Sequence, residues 1–280
     1  STLMRSSAAS DVYKRQFLSY DKIQLFNLES ALWERKVMKM QVFAKSDIGR
    51  ERKTNEDFYY VSKPEDKIRL FKLADGMGGY NAGEVASRMA VESAKDYIHK
   101  HFTKNKDSKE KLEALLKDAI EYANSVVYKK AQSKENLRGM GTTLDVCLIY
   151  NSRIYIGHVG DSRVYRIRKE FMRRLTKDHS YVQTLVDDGT ITKEEAYSHP
   201  KKNMLTKALG CVETVEPDVY TKTFIKDDII LMCSDGLTNM IREEEISKII
   251  KQDKEKATEN LVKQANDNGG LDNITVVIIM

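Results

Sequence analysis

Four aspartates stand where apolar runs meet turns: Asp75 in A-D-G-M-G-G, Asp161 in G-D-S-R, Asp235 in C-S-D-G-L and Asp272 in L-D-N-I-T. Apolar runs precede the first three, at 68–74, 154–160 and 229–234, and another follows the fourth, at 274–279. Such runs between turn residues read as buried strands, so each acid is expected at a strand end, on the rim of a sheet. Carboxylates brought to one rim from distant parts of a chain form an all-oxygen ligand set for a hard divalent cation such as Mg²⁺ or Mn²⁺. Taken singly, Asp-Gly and Asp-Asn are turn dipeptides, because Asp bonds its own backbone and Gly accepts positive φ. Two features go beyond turns. Gly76, Gly78 and Gly79 bare backbone carbonyls beside Asp75 and admit close neighbours, and the acidic pair Glu56 and Asp57 precedes a further strand at 58–62.

Holding these acids together requires sheets with covered faces. Hydrophobic patterning predicts strands near 40–46, 57–62, 68–74, 142–150, 153–159, 163–168, 219–225, 228–233 and 273–280. Two helices follow the glycine cluster, one with Ala82, Val85, Ala86, Met89, Ala90, Ala94 and Ile98 in a stripe. The other repeats the pattern with Leu112, Leu115, Leu116, Ala119, Ile120, Ala123 and Val127. A third helical region carries Ile246, Ile249 and Ile250, then Leu261, Val262 and Ala265. Runs of strands with helices in separate pairs point to layered α+β packing rather than βαβ winding. Between Asp178 and Gly210 the pattern loosens. Thr192 and Glu195 form a capping box that opens a short helix over 192–197, and the irregular stretch with Pro200 suits a surface excursion or a binding lid equally.

Composition sets wide limits. The 280 residues are 41% hydrophobic and 32% charged, enough for one substantial core. The net charge of +5 is small, and aromatics do not interleave with basic clusters, so no nucleic-acid partner is expected. No apolar stretch approaches a membrane span of about 20 residues and no signal peptide is evident, so a cytoplasmic location is expected. Cys147, Cys211 and Cys233 lack metal-ligand spacing and read as free, buried or partly buried thiols of a reducing compartment.

In order along the chain, segments 46–57, 74–79, 139–143, 160–163, 233–237 and 271–275 resemble the motif series of the PPM family. These are the metal-dependent serine/threonine protein phosphatases, also called protein phosphatase 2C. The resemblance covers about residues 40–280, and D-G-M-G-G with the stretch 185–210 is similar to the compact bacterial branch. It implies a four-layer αββα sandwich, two antiparallel sheets flanked by helix pairs, with a metal centre at one end between the sheets. It also implies two to three Mn²⁺ or Mg²⁺ ions. Asp75 would bridge two of them with the Gly76 carbonyl as a further ligand, and Asp235 and Asp272 would complete the first site. Glu56 would hold the second metal, Asp57 would orient its waters, and Asp161 with Asp235 would form a third site. Arg52, five residues before Asp57, falls where the family places a guanidinium on the substrate phosphate. A planar fork suits two phosphate oxygens at once.

The implied reaction is hydrolysis of phosphoserine and phosphothreonine in proteins by a metal-bridging water or hydroxide, in a monomer that opposes a bacterial Ser/Thr kinase and acts on its substrates. A regulatory phosphatase dedicated to one phosphoprotein, and an inactive binding module, are the alternatives. The chemistry is demanding, since phosphate monoesters need rate enhancements of up to ~10²¹-fold. A general base supplies only ~10²–10⁴-fold, whereas paired metals activate water and clamp phosphoryl oxygens. No cysteine in a phosphate-cradling loop and no G-x-S-x-G elbow offers a covalent route. Met77 stands where many eukaryotic members carry a histidine assigned as general acid, and Met has no proton to donate. None of His99, His101, His158, His179 or His199 is assigned that role. Thr142, Thr143, Ser162 and Arg163 are read as structural support at the metal end.

The start of the chain is read separately. Ser6 to Gln16, S-S-A-A-S-D-V-Y-K-R-Q, resembles a translated sequencing-library adapter. Residues 1–37 are therefore taken as a non-native or poorly ordered leader, with Met38 or Met40 as the start and a single domain over 38–280, its flap at about 178–210. The competing reading is an amphipathic helix with Leu28, Leu32 and Trp33.

Overall fold

Antiparallel pairing organises the strands into two sheets. In the computed structural model, which describes residues 40–78 and 82–280, the strands are β1 (Val42–Asp47), β2 (Asp57–Val61), β3 (Arg69–Met77), β4 (Gly141–Thr142), β5 (Leu144–Tyr150) and β6 (Arg153–Val159). They continue with β7 (Arg163–Arg168), β8 (Phe171–Arg174), β9 (Asp218–Thr223), β10 (Ile229–Cys233) and β11 (Ile274–Ile279). One sheet has the order β1-β11-β10-β7-β8; the other has β2-β3-β5-β6-β9, with β4 paired to β3. The leader, its adapter-like string and Gly79 lie outside the described residues.

Helices α1 (Ala82–Asn105) and α2 (Lys109–Ser133) cover the second sheet. The alanines at 82, 86, 90 and 94 are buried, and such short side chains let α1 lie close to β3. All seven stripe residues of α2 are buried. On the first sheet lie α6 (Glu243–Gln252) and α7 (Ala257–Asp267), which bury Ile246, Ile250, Leu261, Val262 and Ala265. The layers therefore run helix pair, sheet, sheet, helix pair.

Strand alternation sends one set of side chains toward helices and the other between the sheets. On β3, Leu70 and Ala74 join the core shared with α1 and α2, while Phe71, Leu73 and Asp75 point the other way. On β10, Ile229, Leu231 and Cys233 join the α6–α7 core, which leaves Ile230 and Met232 for the inter-sheet layer.

Several sequence expectations need correction. The apolar run at 68–74 continues as strand through Asp75, Gly76 and Met77, so Asp75 lies inside β3 and not at its end. The ladder persists because Gly76 and Met77 pair with Thr142 and Gly141. The predicted 142–150 strand is split at Thr143. Strand β8 and helix α3 (Tyr181–Asp187) were not anticipated: β8 is short with none of its four residues buried, and α3 has only Val182 buried. The capping box at Thr192 and Glu195 is formed and starts α4 (Lys193–Ser198). Cys147 and Cys233 are buried, whereas Cys211 is exposed.

Lys72 breaks the apolar pattern of β3. It is fully buried, and its Nζ has no hydrogen-bond partner. The ammonium position lies 4.5 Å from the centroid of the Tyr60 ring. A desolvated cation–π contact favours the charged amine by about 2 kcal/mol, yet burial outweighs it and pushes the Lys72 pKa down to about 6. Because this pKa is lower in the folded than in the unfolded chain, the unfolded chain binds more protons between about pH 6 and 10. Lys72 is therefore a destabilising residue at neutral pH whose penalty fades as pH rises. Replacing it by methionine, Lys72→Met, is expected to stabilise the protein at pH 7 by roughly 1–3 kcal/mol. The gain should shrink at pH 9, as read by denaturant melts at both pH values.

Candidate metal centre

The site is assembled across the inter-sheet layer. Asp57 opens β2 and stands directly opposite Asp75 of β3 in the antiparallel ladder, so the two carboxylates share a face. From the facing sheet, Ser234 follows β10 and donates its hydroxyl to Asp57 Oδ2 at 2.8 Å. The Thr275 amide holds that hydroxyl at 2.9 Å. Asp235 comes next and opens the short helix α5 (Asp235–Thr238), where Asn239 Nδ2 donates to its Oδ2 at 2.9 Å. Asp272 precedes β11; its Oδ1 accepts from the Asn273 amide at 2.9 Å and its Oδ2 from Arg52 Nη2 at 2.7 Å.

Glu56 is fixed at both its backbone and its side chain. Its amide donates to Asn273 Oδ1 at 2.8 Å, and its carbonyl accepts from the Gly76 amide at 3.1 Å. Its carboxylate accepts from the Gly83 amide in the first turn of α1, where unpaired amides and the helix dipole favour an anion. The glycine at 76 follows from this crowding: a Cβ there would run into the backbone of both Gly83 and Glu56.

Asp75 is anchored through its backbone. Its amide donates to Thr143 Oγ1 at 2.9 Å, and its carbonyl accepts from Thr142 Oγ1 and from the Thr143 amide, both at 2.9 Å. Thr143 Oγ1 in turn pairs with Ser162 Oγ at 2.8 Å, beside Asp161 in the loop after β6. The supporting role read for Thr142, Thr143 and Ser162 matches these contacts. Arg163 grips Asp178 through Nε and Nη2, at 3.1 and 2.8 Å to Oδ2.

Burial comes first in the electrostatics of the site, and crowding of like charge adds to it. Burial raises the pKa of Asp57 to about 7 and that of Asp235 to about 6, and neighbouring Asp272 pushes in the same direction. Asp75 is driven well above the usual carboxylate range by burial and then by Asp57, Asp235, Asp161 and Asp272. Asp161 is raised by burial and by Asp235, and Glu56 is raised by burial against the opposing pull of Arg52. Oδ1 of Asp57 and Oδ1 of Asp235 are buried without a hydrogen-bond partner.

Of the residues singled out in the sequence, Glu56, Asp57, Asp75, Asp235 and Asp272 therefore converge, and Asp161 borders them on the side of Asp235. Arg52 reaches the cluster but rests on Asp272, with its side chain half exposed. Asp235 lies in a helical turn rather than a tight turn. Sequence reasoning passed over Asn273, Asn239 and Ser234, which orient the acids. Asn239 sits four residues after Asp235, a helical spacing that could have exposed it, whereas Asn273 was read only as half of a turn dipeptide.

The chain matches the sequence pattern described as "Protein phosphatase 2C" over residues 49–272. It belongs to the protein phosphatase 2C family. A serine/threonine phosphatase, Stp, of Listeria innocua is 42% identical over 238 residues, covering 84% of this chain and 93% of that relative. A solved serine/threonine phosphatase of S. agalactiae superposes with a TM-score of 0.79 at 37% identity, covering 86% of this chain and 98% of that one. The catalytic domain of the phosphatase PstP, solved in complex with two manganese ions, gives a TM-score of 0.75 at 35% identity over 86% and 97% of the two chains. No helix among the described residues of this phosphatase 2C chain is long and apolar enough to cross a membrane.

The residues fit a divalent-cation centre. The converging acidic side chains offer carboxylate oxygens, which hard cations take, and Oδ1 of Asp57 and of Asp235 are buried with no partner. Among the described residues no three acidic, histidine or cysteine side chains already close on one point. Asp57, Asp235 and Asp272 are instead turned onto Ser234, Asn239 and Arg52. Without metal, the raised pKa values of Asp75, Asp57 and Asp235 mean that the folded chain holds protons the unfolded chain has lost. That stability is present below about pH 4 and disappears as pH rises through about 6 to 7. In EDTA, the melting temperature of Asp75→Asn relative to the parent should therefore climb from pH 5 to pH 7.5. A relative melting temperature that stayed flat or fell would contradict this electrostatic account.

Proposed function

We propose that this chain is a metal-dependent hydrolase of phosphoserine and phosphothreonine in proteins, with residues 38–280 as its catalytic domain and about 178–210 as a flap over the site. The observation that carries the proposal is the meeting of Glu56, Asp57, Asp75, Asp235 and Asp272 in one partly buried cluster that leaves buried carboxylate oxygens of Asp57 and Asp235 unpartnered. Asp75 and the Gly76 carbonyl, with Glu56, Asp235 and Asp272, would hold two Mn²⁺ or Mg²⁺ ions. Asp161 with Asp235 would hold a third. Paired divalent cations of this kind lower the pKa of water and neutralise charge on phosphoryl oxygens.

The remaining tasks fall to the protein. Asp57, fixed by Ser234, accepts hydrogen bonds from water at the cluster and keeps it oriented. Arg52 brings the only arginine among the motif residues that is both half exposed and in contact with a cluster acid, and its planar fork binds the phosphate of the incoming residue. Asn273 ties Glu56 to Asp272 and so keeps the two acids in register. Met77 offers no proton, and His158 and His179 are engaged by Asp145, the Lys177 carbonyl and the Gly160 amide. The leaving serine or threonine oxygen therefore takes its proton from water.

The kinase opposed by this enzyme, a monomeric state and a cytoplasmic location belong to the same reading. A phosphatase dedicated to a single partner remains compatible with it, whereas a full set of acids argues against an inactive module. Purified protein should hydrolyse p-nitrophenyl phosphate and phosphothreonine peptides with Mn²⁺ and lose activity in EDTA. Asp75→Asn and Asp235→Asn should each lower kcat by at least about 10³-fold. Arg52→Ala should raise KM by about tenfold with a smaller change in kcat. Parent-like turnover in Asp75→Asn would overturn the assignment.

A further inference from the structure

The segment that follows Asp178 is joined to the domain by a polar seam beside α5. Arg242, at the start of α6, forms a forked pair with Glu194 of α4: Nη2 to Oε1 at 2.7 Å and Nη1 to Oε2 at 3.2 Å. The same guanidinium lies 3.5 Å from the centroid of the Tyr197 ring. Tyr197 donates its hydroxyl to the Asn239 carbonyl at 2.9 Å. Asn239 donates its own amide to the Asp235 carbonyl at 2.7 Å and its side-chain amide to Asp235 Oδ2 at 2.9 Å. An unbroken run of short contacts thus leads from α4 to a carboxylate of the cluster. The open cleft alongside, about 590 Å³, is lined in part by Asp161, Asp235, Asn239, Tyr197, Glu194 and Arg242.

We infer that Tyr197 and Arg242 are positioning residues that set the Asp235 carboxylate through Asn239, so that the seating of α4 tunes how tightly Asp235 takes a divalent cation. The inference rests on the reading of Asp235 as a metal ligand. The physical basis is the division of labour along the seam. Glu194 and Arg242 are 77% and 47% exposed, so their ion pair contributes little by itself. Its fork and the stacked ring instead fix where the Tyr197 hydroxyl points. That hydroxyl constrains the peptide plane of Asn239, and the same residue's side chain holds one of the two oxygens of Asp235. The other oxygen has no partner. A weakly held helix therefore acts on a ligand through one shared residue, and occupancy of the adjoining space by a phosphopeptide would shift both together.

The test uses the full chain and two readouts: Mn²⁺ binding by titration calorimetry, and amide hydrogen exchange over 193–198. Groups that orient metal ligands directly change affinity by about 10- to 100-fold, so one step further out a change of about 3- to 10-fold is expected for Tyr197→Phe. Tyr197→Phe should also speed exchange over 193–198, and Arg242→Lys should retain more Mn²⁺ affinity than Arg242→Ala. In an Asn239→Ala background, Tyr197→Phe should change Mn²⁺ affinity less than about twofold, because the shared residue is already lost. Faster exchange in Tyr197→Phe with unchanged affinity, or full weakening in the Asn239→Ala background, would overturn the inference while leaving the metal centre intact. A parent chain that takes up no Mn²⁺ would overturn the metal-centre reading and this inference with it.

Discussion

The gathering of carboxylates at one end of the inter-sheet layer, where burial and mutual repulsion both oppose their charge, is the constraint around which this fold is arranged. Asp57 is buried between the sheets with Asp75 and Asp235 partly buried beside it, and Asp161, Asp272 and Glu56 border them. Arg52 brings a countercharge from the surface, while Arg163 is engaged with Asp178. An isolated domain has no reason to gather so much like charge, because each buried ionised carboxylate costs several kcal/mol unless it is paired. Protons relieve the cost near neutral pH: the raised pKa values of Asp57 and Asp235 express first their burial and then the repulsion of neighbouring acids. Divalent cations relieve it better, since one ion faces several oxygens at once.

The two sheets make that gathering possible. One contributes Asp57 and Asp75 as ladder partners on adjacent strands, so their separation is set by backbone pairing. The other contributes Ser234, Asp235 and Asp272 from the ends of adjacent strands β10 and β11. Ser234, bonded to Asp57 Oδ2 and held by the Thr275 amide, joins the two sets. Gly76 allows Glu56 and the first turn of α1 to crowd against β3, adding an acid at a helix N-terminus. Backbone rigidity thus holds like charges together that side chains alone would let drift apart.

Much of this was legible in the sequence because the strands are long apolar runs and the acids fall next to them. The helices α1 and α2 were readable for the same reason, their stripes being uninterrupted. The continuation of β3 through Asp75 was not readable, because Asp-Gly suggests a turn locally and only the distant Gly141–Thr142 segment keeps it extended. Strand β8 and helix α3 escaped notice because few of their residues are buried. The roles of Asn273, Asn239 and Ser234 depend on contacts between segments far apart in the chain or on a single helical turn, and polar residues in turns carry no periodic signal. Lys72 falls inside the run 68–74 read as apolar, and the structure makes it a buried amine against the Tyr60 ring.

The most direct measurement is anomalous diffraction from crystals of this protein grown with Mn²⁺. The account predicts at least two manganese peaks within the cluster, one ion contacting Asp75, Asp235 and Asp272 and the other contacting Asp75 and Glu56, with Arg52 drawn off Asp272 or sharing it. An absence of manganese between these side chains at saturating Mn²⁺, with Asp57, Asp75 and Asp235 still facing one another, would contradict it.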